Sequence, residues 1–277
     1  MISRIALLAQ GRTYAWRGQR NATWPVSSSL YRQLSEGGNN VTELTVRDRE
    51  KDTLVRARRW GLGRDLGSSA TDLHLLASLQ HHNVPTRFID VTSNPMTALW
   101  FATEEVPVPN SEHKTSGVLF AFDVTDTPWH RSFDHGLAPT WGSQEDPIGA
   151  ALTMALADSK KNSQLFRIFP ALPDERMKAQ EGYFLGSTVP VQHKAPGLLG
   201  LNPGGSAPGS EKLTKLLTVQ KGPGRPQTLP FCAIVIPDKV KVKLRDPLRR
   251  TYNRRRRVLF PDIDGFRDAI ERGDVLD

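Results

Sequence analysis

Residues 84–100 read VPTRFIDVTSNPMTALW, and the reading of this stretch sets the fold. Pro85 blocks any helix arriving from upstream and biases its neighbour towards extended backbone, so Arg87 to Val91 reads as a strand. Asn94 can accept hydrogen bonds from the first turn of a following helix. Pro95 suits that turn, because the N–H it lacks would have no partner there anyway, and Met96, Leu99, Trp100 and Ala102 supply an apolar face. Upstream, TDLHLLASLQ at 71–80 spaces Leu73, Leu76 and Ala77 at helical intervals behind Thr71 or Asp72 as the cap. The expected order is a buried helix ending near His82-Asn83, a tight link, a strand, a turn and a second helix.

Further strands follow on either side. GVLFAFDV at 117–124 and FCAIVI at 231–236 are apolar enough for central strands. QEGYFL at 180–185 reads as a third, weakened by its glycine. Near the start, YAWRGQ at 14–19 alternates so that Tyr14 and Trp16 share one face while Arg17 opens on the other beside Gly18. After Pro237, KVKVKLR at 239–245 alternates strictly. It is expected to form a basic edge strand, with Val240, Val242 and Leu244 inward and Lys239, Lys241, Lys243 and Arg245 outward.

The chain has 277 residues, which fits one elaborated domain over 1–277 better than two. A Gly/Pro/Ser-rich stretch at about 186–229 is expected to be a long mobile insertion, and residues 105 to 116 a shorter loop. No apolar run suffices for a signal-peptide core or a membrane span, so a location in the cytoplasm, the host's if the protein is phage-encoded, and no membrane partner are expected. The single cysteine, Cys232, excludes an internal disulfide and multi-cysteine metal sites, and the pair His81-His82 has no metal-ligand spacing. Formal net charge is +8, yet Lys239 to Arg257 holds ten basic residues and one acid, so the remainder is close to neutral. One segment carries the basicity, and it reads as a patch for a polyanion, with Tyr252 among the arginines as a stacking surface for a base. Lys239, Lys241, Lys243, Arg245, Tyr252, Arg254, Arg255, Arg256 and Arg257 are the candidate nucleic-acid contacts. The alternative is a solvated charge run indifferent to DNA, RNA or acidic protein.

Four stretches together resemble one family: Trp16-Arg17-Gly18-Gln19 with Ser29, Leu30 and Arg32; Gln80-His81 through Pro85, Arg87, Asp90, Thr92 and Asn94-Pro95 to Ala102; Arg176 with Gln180 and Gly182 to Phe184; and FPDIDG at 260–265. In this order they resemble the FRG domain, here with tryptophan in the aromatic place. That resemblance implies a bacterial or phage protein, often tied to phage–host conflict. The stretch 84–100 also resembles the second motif of DNA-targeting ADP-ribosyltransferase toxins. This implies an α+β fold, an ADP-ribosyltransferase-like split β-sheet core with flanking helices, and NAD as ADP-ribose donor, with DNA a more fitting acceptor than RNA.

Under that resemblance Arg17 clamps pyrophosphate or ribose, because a guanidinium offers fixed, multidentate donors. Gly18 permits close approach and Gln19 adds a neutral donor and acceptor. The alternative role for Arg17 is an ion pair with a carboxylate such as Asp90. His81 is either a ribose contact or a cap on its own helix. Asp90, Thr92 and Asn94 are ligand contacts or cross-links of the turn. The toxin pattern puts Gln180 where the catalytic glutamate belongs, with Glu181 one residue on; a glutamine can hydrogen-bond ribose but cannot act as a base. Arg17, Gln180 and Glu181 are therefore the catalytic candidates, and a nucleic-acid-binding or sensing module without turnover is the competing function.

Overall fold

The structure is a computed structural model that describes residues 2, 11–63, 71–104, 115–130, 150–162, 165–169, 173–192, 198–201 and 231–273. Among the described residues seven strands make one open sheet: β1 (Tyr14–Gln19), β2 (Ile89–Thr92), β3 (Gly117–Asp123), β4 (Trp129–His130), β5 (Phe166–Ile168), β6 (Gly182–Gly186) and β7 (Phe231–Ile236). Their order is β4-β5-β6-β2-β1-β3-β7. All neighbours pair antiparallel except the short edge strand β4, which runs parallel to β5. Most of the 186–229 stretch and of the 105–116 loop lies outside the described residues. What is described of the former is anchored, for Leu198 and Leu201 are buried and Leu198 bridges Val26.

The helices among the described residues are α1 (Ser29–Ser35), α2 (Glu43–Arg59), α3 (Asp72–His81), α4 (Pro95–Thr103), α5 (Ala150–Asn162), α6 (Glu175–Ala179), α7 (Asp238–Arg250), α8 (Arg256–Leu259) and α9 (Ile263–Arg272). The stretch 71–103 folds as its sequence predicts. Thr71 Oγ1 accepts from the N–H of His74, Asn94 Oδ1 accepts from those of Met96 and Thr97, and Pro95 opens α4. One face of the sheet is covered in two parts. Ala98, Leu99 and Ala102 of α4 pack on Trp16, Leu119 and Ala121, while α3 and α5 bring Leu73, Leu76, Leu152 and Leu156 onto Phe88, Phe166 and Phe184. The opposite face carries Ala15, Val91, Phe120, Phe122 and Leu185 under Val26, Leu198 and Leu201.

Arg87 ties α2 to the sheet. Its guanidinium meets Glu50 at 2.8 Å, Glu43 at 3.0 Å and the Ser187 carbonyl at 3.2 Å. Burial lowers the Arg87 pKa, but the two carboxylates outweigh it and the net shift is upward. A buried cation with this many acceptors is stable where an unpaired one is not.

Two expectations fail. KVKVKLR is no strand: it forms most of α7, and the buried stripe is Lys241, Leu244, Arg245 and Leu248, at helical intervals. Lys241 is 6 % exposed and donates to the carbonyls of Arg20 (2.8 Å) and Thr115 (3.1 Å), whereas Val242 is 62 % exposed. The predicted strand 180–185 begins only at Gly182. Gln180 closes α6, and Glu181 takes a positive φ of 51°.

Candidate active site and arginine groove

Strands β1 and β2 share a single registered pair, Trp16↔Thr92, whereas β1 and β3 share six. The two strands diverge beyond that pair, and the Arg17 guanidinium takes the place of ladder bonding, donating to the Asp90 carbonyl at 2.7 Å. A cavity of about 360 Å³ opens at this seam, lined by residues from both sheet faces, among them Trp16, Arg17, Asp90 and Tyr183. Gly18, Gln80, His81, Thr92, Arg176, Met177, Gln180 and Phe260 also contribute to its wall.

Arg17 Nε is buried and has no hydrogen-bond acceptor. Its Nη1 lies 3.8 Å from the Asp90 carboxylate, which is largely exposed. Desolvation lowers the Arg17 pKa and the nearby Arg32 adds to that, while Asp90 opposes it; an arginine so placed keeps its charge and gains from a further anion. The carboxylate alternative thus holds only in part, for the close contact is to the Asp90 main chain. Asp90 is the only carboxylate among the described residues that line the cavity, and Gln80 donates to it at 3.4 Å.

Gly18 lines the cavity and also serves the fold. A Cβ there would lie 1.8 Å from the Ala98 carbonyl oxygen, so the missing side chain lets α4 rest on β1. Gln19 is buried outside the cavity wall, with its Oε1 unpaired. His81 neither caps α3 nor stands free: its Nε2 is 2.6 Å from Oδ2 of Asp174, whose Oδ1 caps α6. Thr92 donates to the Gln180 carbonyl at 2.7 Å and Asn94 caps α4, as the cross-linking alternative has it. Gln180 reaches the cavity with its Nε2 committed to the Leu259 carbonyl at 2.9 Å. Glu181 faces away from the wall and accepts from Asn94 (2.8 Å) and Arg254 (3.2 Å).

Beyond Phe260, whose ring lines both spaces, lies a groove of about 440 Å³ walled by Arg245, Arg249, Arg254, Arg255, Arg256 and Arg257, with Trp100 and Phe266. Phe260 is held between two guanidiniums, Arg176 at 5.1 Å and Arg256 at 5.0 Å from the ring centre. Arg176 in turn makes a two-point bond to Asp262, at 2.6 and 2.7 Å, and Asp262 caps α9. The basic segment is therefore divided. Lys241 is spent inside the fold, Arg245 donates to the Thr103 carbonyl and Arg256 pairs with Glu104. Lys239, Lys243, Tyr252 and Arg257 are exposed.

The match to known families falls on the first half of this site. Residues 12–111 match the family model described as the FRG domain. The chain carries an FRG domain. No curated protein and no solved structure matches the chain. The FRG match takes in Arg17, His81, Asp90, Thr92 and Asn94, together with Trp100 and Glu104 at the groove, and ends before Gln180 and the groove's arginines. Among the described residues no helix is long and apolar enough to cross a membrane. Sequence reasoning quoted Arg176 and Phe260 within the FRG motifs without giving them a role in a site. The available signal was the pairing of an isolated arginine with FPDIDG, but nothing in their spacing states that they meet.

Proposed function

We propose that the protein is an NAD-dependent ADP-ribosyltransferase acting on nucleic acid, DNA in preference, in a bacterial or phage–host conflict setting, with an ADP-ribosyltransferase-like split sheet as its frame. The observation that carries this is the buried, acceptor-free Nε of Arg17 at the wall of the seam cavity, 3.8 Å on its Nη1 side from the cavity's carboxylate. A diphosphate supplies the missing acceptor, and a carboxylate beside it suits a sugar that becomes cationic. When bound, NAD supplies an ADP-ribosyl group: its bond to nicotinamide breaks with the electron pair leaving on nicotinamide, and the acceptor atom bonds C1′ and loses its proton.

The chain's own contribution is binding and orientation. Arg17 holds the diphosphate, Gln80 and Gln180 offer amides at the wall, and Tyr183 and Phe260 exclude water. Asp90 takes the role that Gln180 cannot, stabilising positive charge and accepting the acceptor's proton. Burial pushes the Tyr183 phenol up to about 12, against the pull of Arg167, so it stays neutral and is no base near pH 7.

A second reading, a binding module without turnover, is favoured by the engagement of Gln180 with Leu259 and of Glu181 with Asn94 and Arg254. The deciding experiment incubates the protein with NAD and mixed-sequence single- and double-stranded DNA and RNA, and reads intact oligonucleotide mass. A gain of one ADP-ribosyl group, lost in Arg17→Ala together with NAD binding in calorimetry, establishes the transferase. Bound oligonucleotide with NAD intact establishes the module.

A further inference from the structure

The arginine groove has features that the seam cavity and the fold leave unexplained. Its two acidic linings are already occupied, since Glu104 pairs with Arg256 and Arg272, and Asp262 with Arg176. Arg254 and Arg255 each keep a buried Nε with no acceptor. Arg254 is half-satisfied: one terminal nitrogen reaches Glu181 at 3.2 Å while its Nε points at nothing that can accept. A guanidinium is a fork, and its unfilled edge calls for an oxygen anion. On the opposite wall Phe266 projects from α9 with 64 % of its surface exposed. Phosphates need the guanidiniums, whereas only an unpaired base has a face to lay on an aromatic ring.

We propose that this groove binds single-stranded nucleic acid, its phosphodiesters on Arg254, Arg255 and Arg257 and a base on Phe266, and that Arg254 is shared between a phosphate and Glu181. The inference deepens the proposed function by naming the acceptor as single-stranded, and it rests on the nucleic-acid part of that reading. Its consequence is a connection between the two spaces. Glu181 is the second residue of the turn whose first, Gln180, lines the seam cavity and accepts from Thr92. Glu181 also holds Asn94, the cap of α4. A phosphate that draws Arg254 away removes one of the two bonds to the Glu181 carboxylate, so an occupied groove alters the wall on which NAD would sit.

The test is a double-mutant cycle read by fluorescence anisotropy with a labelled oligothymidylate, in which NAD takes no part. Glu181→Gln is expected to tighten binding about fivefold, the scale of coupling between contacting groups, because Arg254 then faces a neutral amide oxygen in place of a competing anion. In an Arg254→Ala background the same change should have no effect. Arg254→Lys, which keeps charge but loses the fork, should behave like Arg254→Ala in the cycle, and Arg255→Ala should weaken binding on its own. Phe266→Ala should weaken the single strand more than a duplex of equal length.

If Glu181→Gln tightens binding equally in both backgrounds, the gain is a general field effect and the sharing is wrong. If the oligonucleotide does not bind, or binds with the Arg254 and Arg255 variants unchanged, the groove assignment is wrong. Because no NAD is present, a failure of the transferase reading leaves the cycle intact, and NAD binding to the Arg17 site is measured separately.

Discussion

Gly18 lines the seam cavity, as its place beside Arg17 suggests, but it has a second purpose that its sequence does not state. A glycine beside an arginine on a strand reads as a place where a ligand nears the backbone, and the missing side chain also admits the carbonyl of Ala98. Only the folded neighbour of β1 reveals this, because α4 lies eighty residues downstream and no local pattern states which helix lands on which strand. Gly18→Ala must push α4 off β1 and is expected to lower stability by at least about 1–3 kcal/mol, read as a fall in urea midpoint. An unchanged midpoint would mean that α4 is not held as close as described. Asp262 gives a second residue-level expectation. Its pKa is lowered mainly by the Arg176 hydrogen bond, with the Gly265 N–H assisting and burial opposing. A carboxyl depressed in the folded state stabilises above its ordinary value, 3.8, and loses that contribution as the pH falls below it. Asp262→Asn should therefore be less stable than the parent at neutral pH, and the difference should shrink as the pH drops below that value in a series of denaturant titrations.

Element boundaries were readable where capping chemistry marks them and unreadable where period and charge conflict. Thr71, Asn94 and Pro95 announce α3 and α4 through groups that bond to first-turn amides, and the structure uses each of them so. In 239–248 the alternation of lysine and valine imitates a strand over a few residues. The longer spacing of Lys241, Leu244, Arg245 and Leu248 is helical, but two cations on the buried stripe conceal it. The same misreading put Lys241 among nucleic-acid contacts. Lys241→Ala removes the donor to two carbonyls and is expected to cost about 1–3 kcal/mol of stability while leaving oligonucleotide affinity within twofold; a large loss of affinity in a fully folded variant would return this lysine to the binding surface. The turn at Gln180-Glu181 was missed for a related reason, since a positive φ at a glutamate has no sequence signal.

At the scale of the whole molecule, net charge pointed to a polyanion partner without showing which cations remain available for one. The FRG motifs placed β1 and the 80–102 segment in one site, and the seam cavity brings them together; the groove depended on α7, α8 and α9 meeting, which only tertiary packing decides. With Arg254, Arg255 and Arg257 as the groove's phosphate contacts, oligothymidylate binding should fall with salt on a log–log slope of about −2, at roughly 0.7 per phosphate neutralised. A slope near −6 would mean that the buried and acid-paired cations of the segment also take part.

The seam itself has a consequence for how the molecule holds together in time. Four strands lie on one side of it and three on the other, joined through the main chain by one residue pair. Each half has its own ladder and, on the helix-covered face, its own apolar cluster. On the other face one cluster running from Ala15 and Phe120 to Val91 and Leu185 spans the seam and is the contact about which the halves can open separately. In deuterium exchange the amides of β2, β5 and β6 should form one protection class and those of β1, β3 and β7 another, making the protein two cooperative blocks that share a hinge.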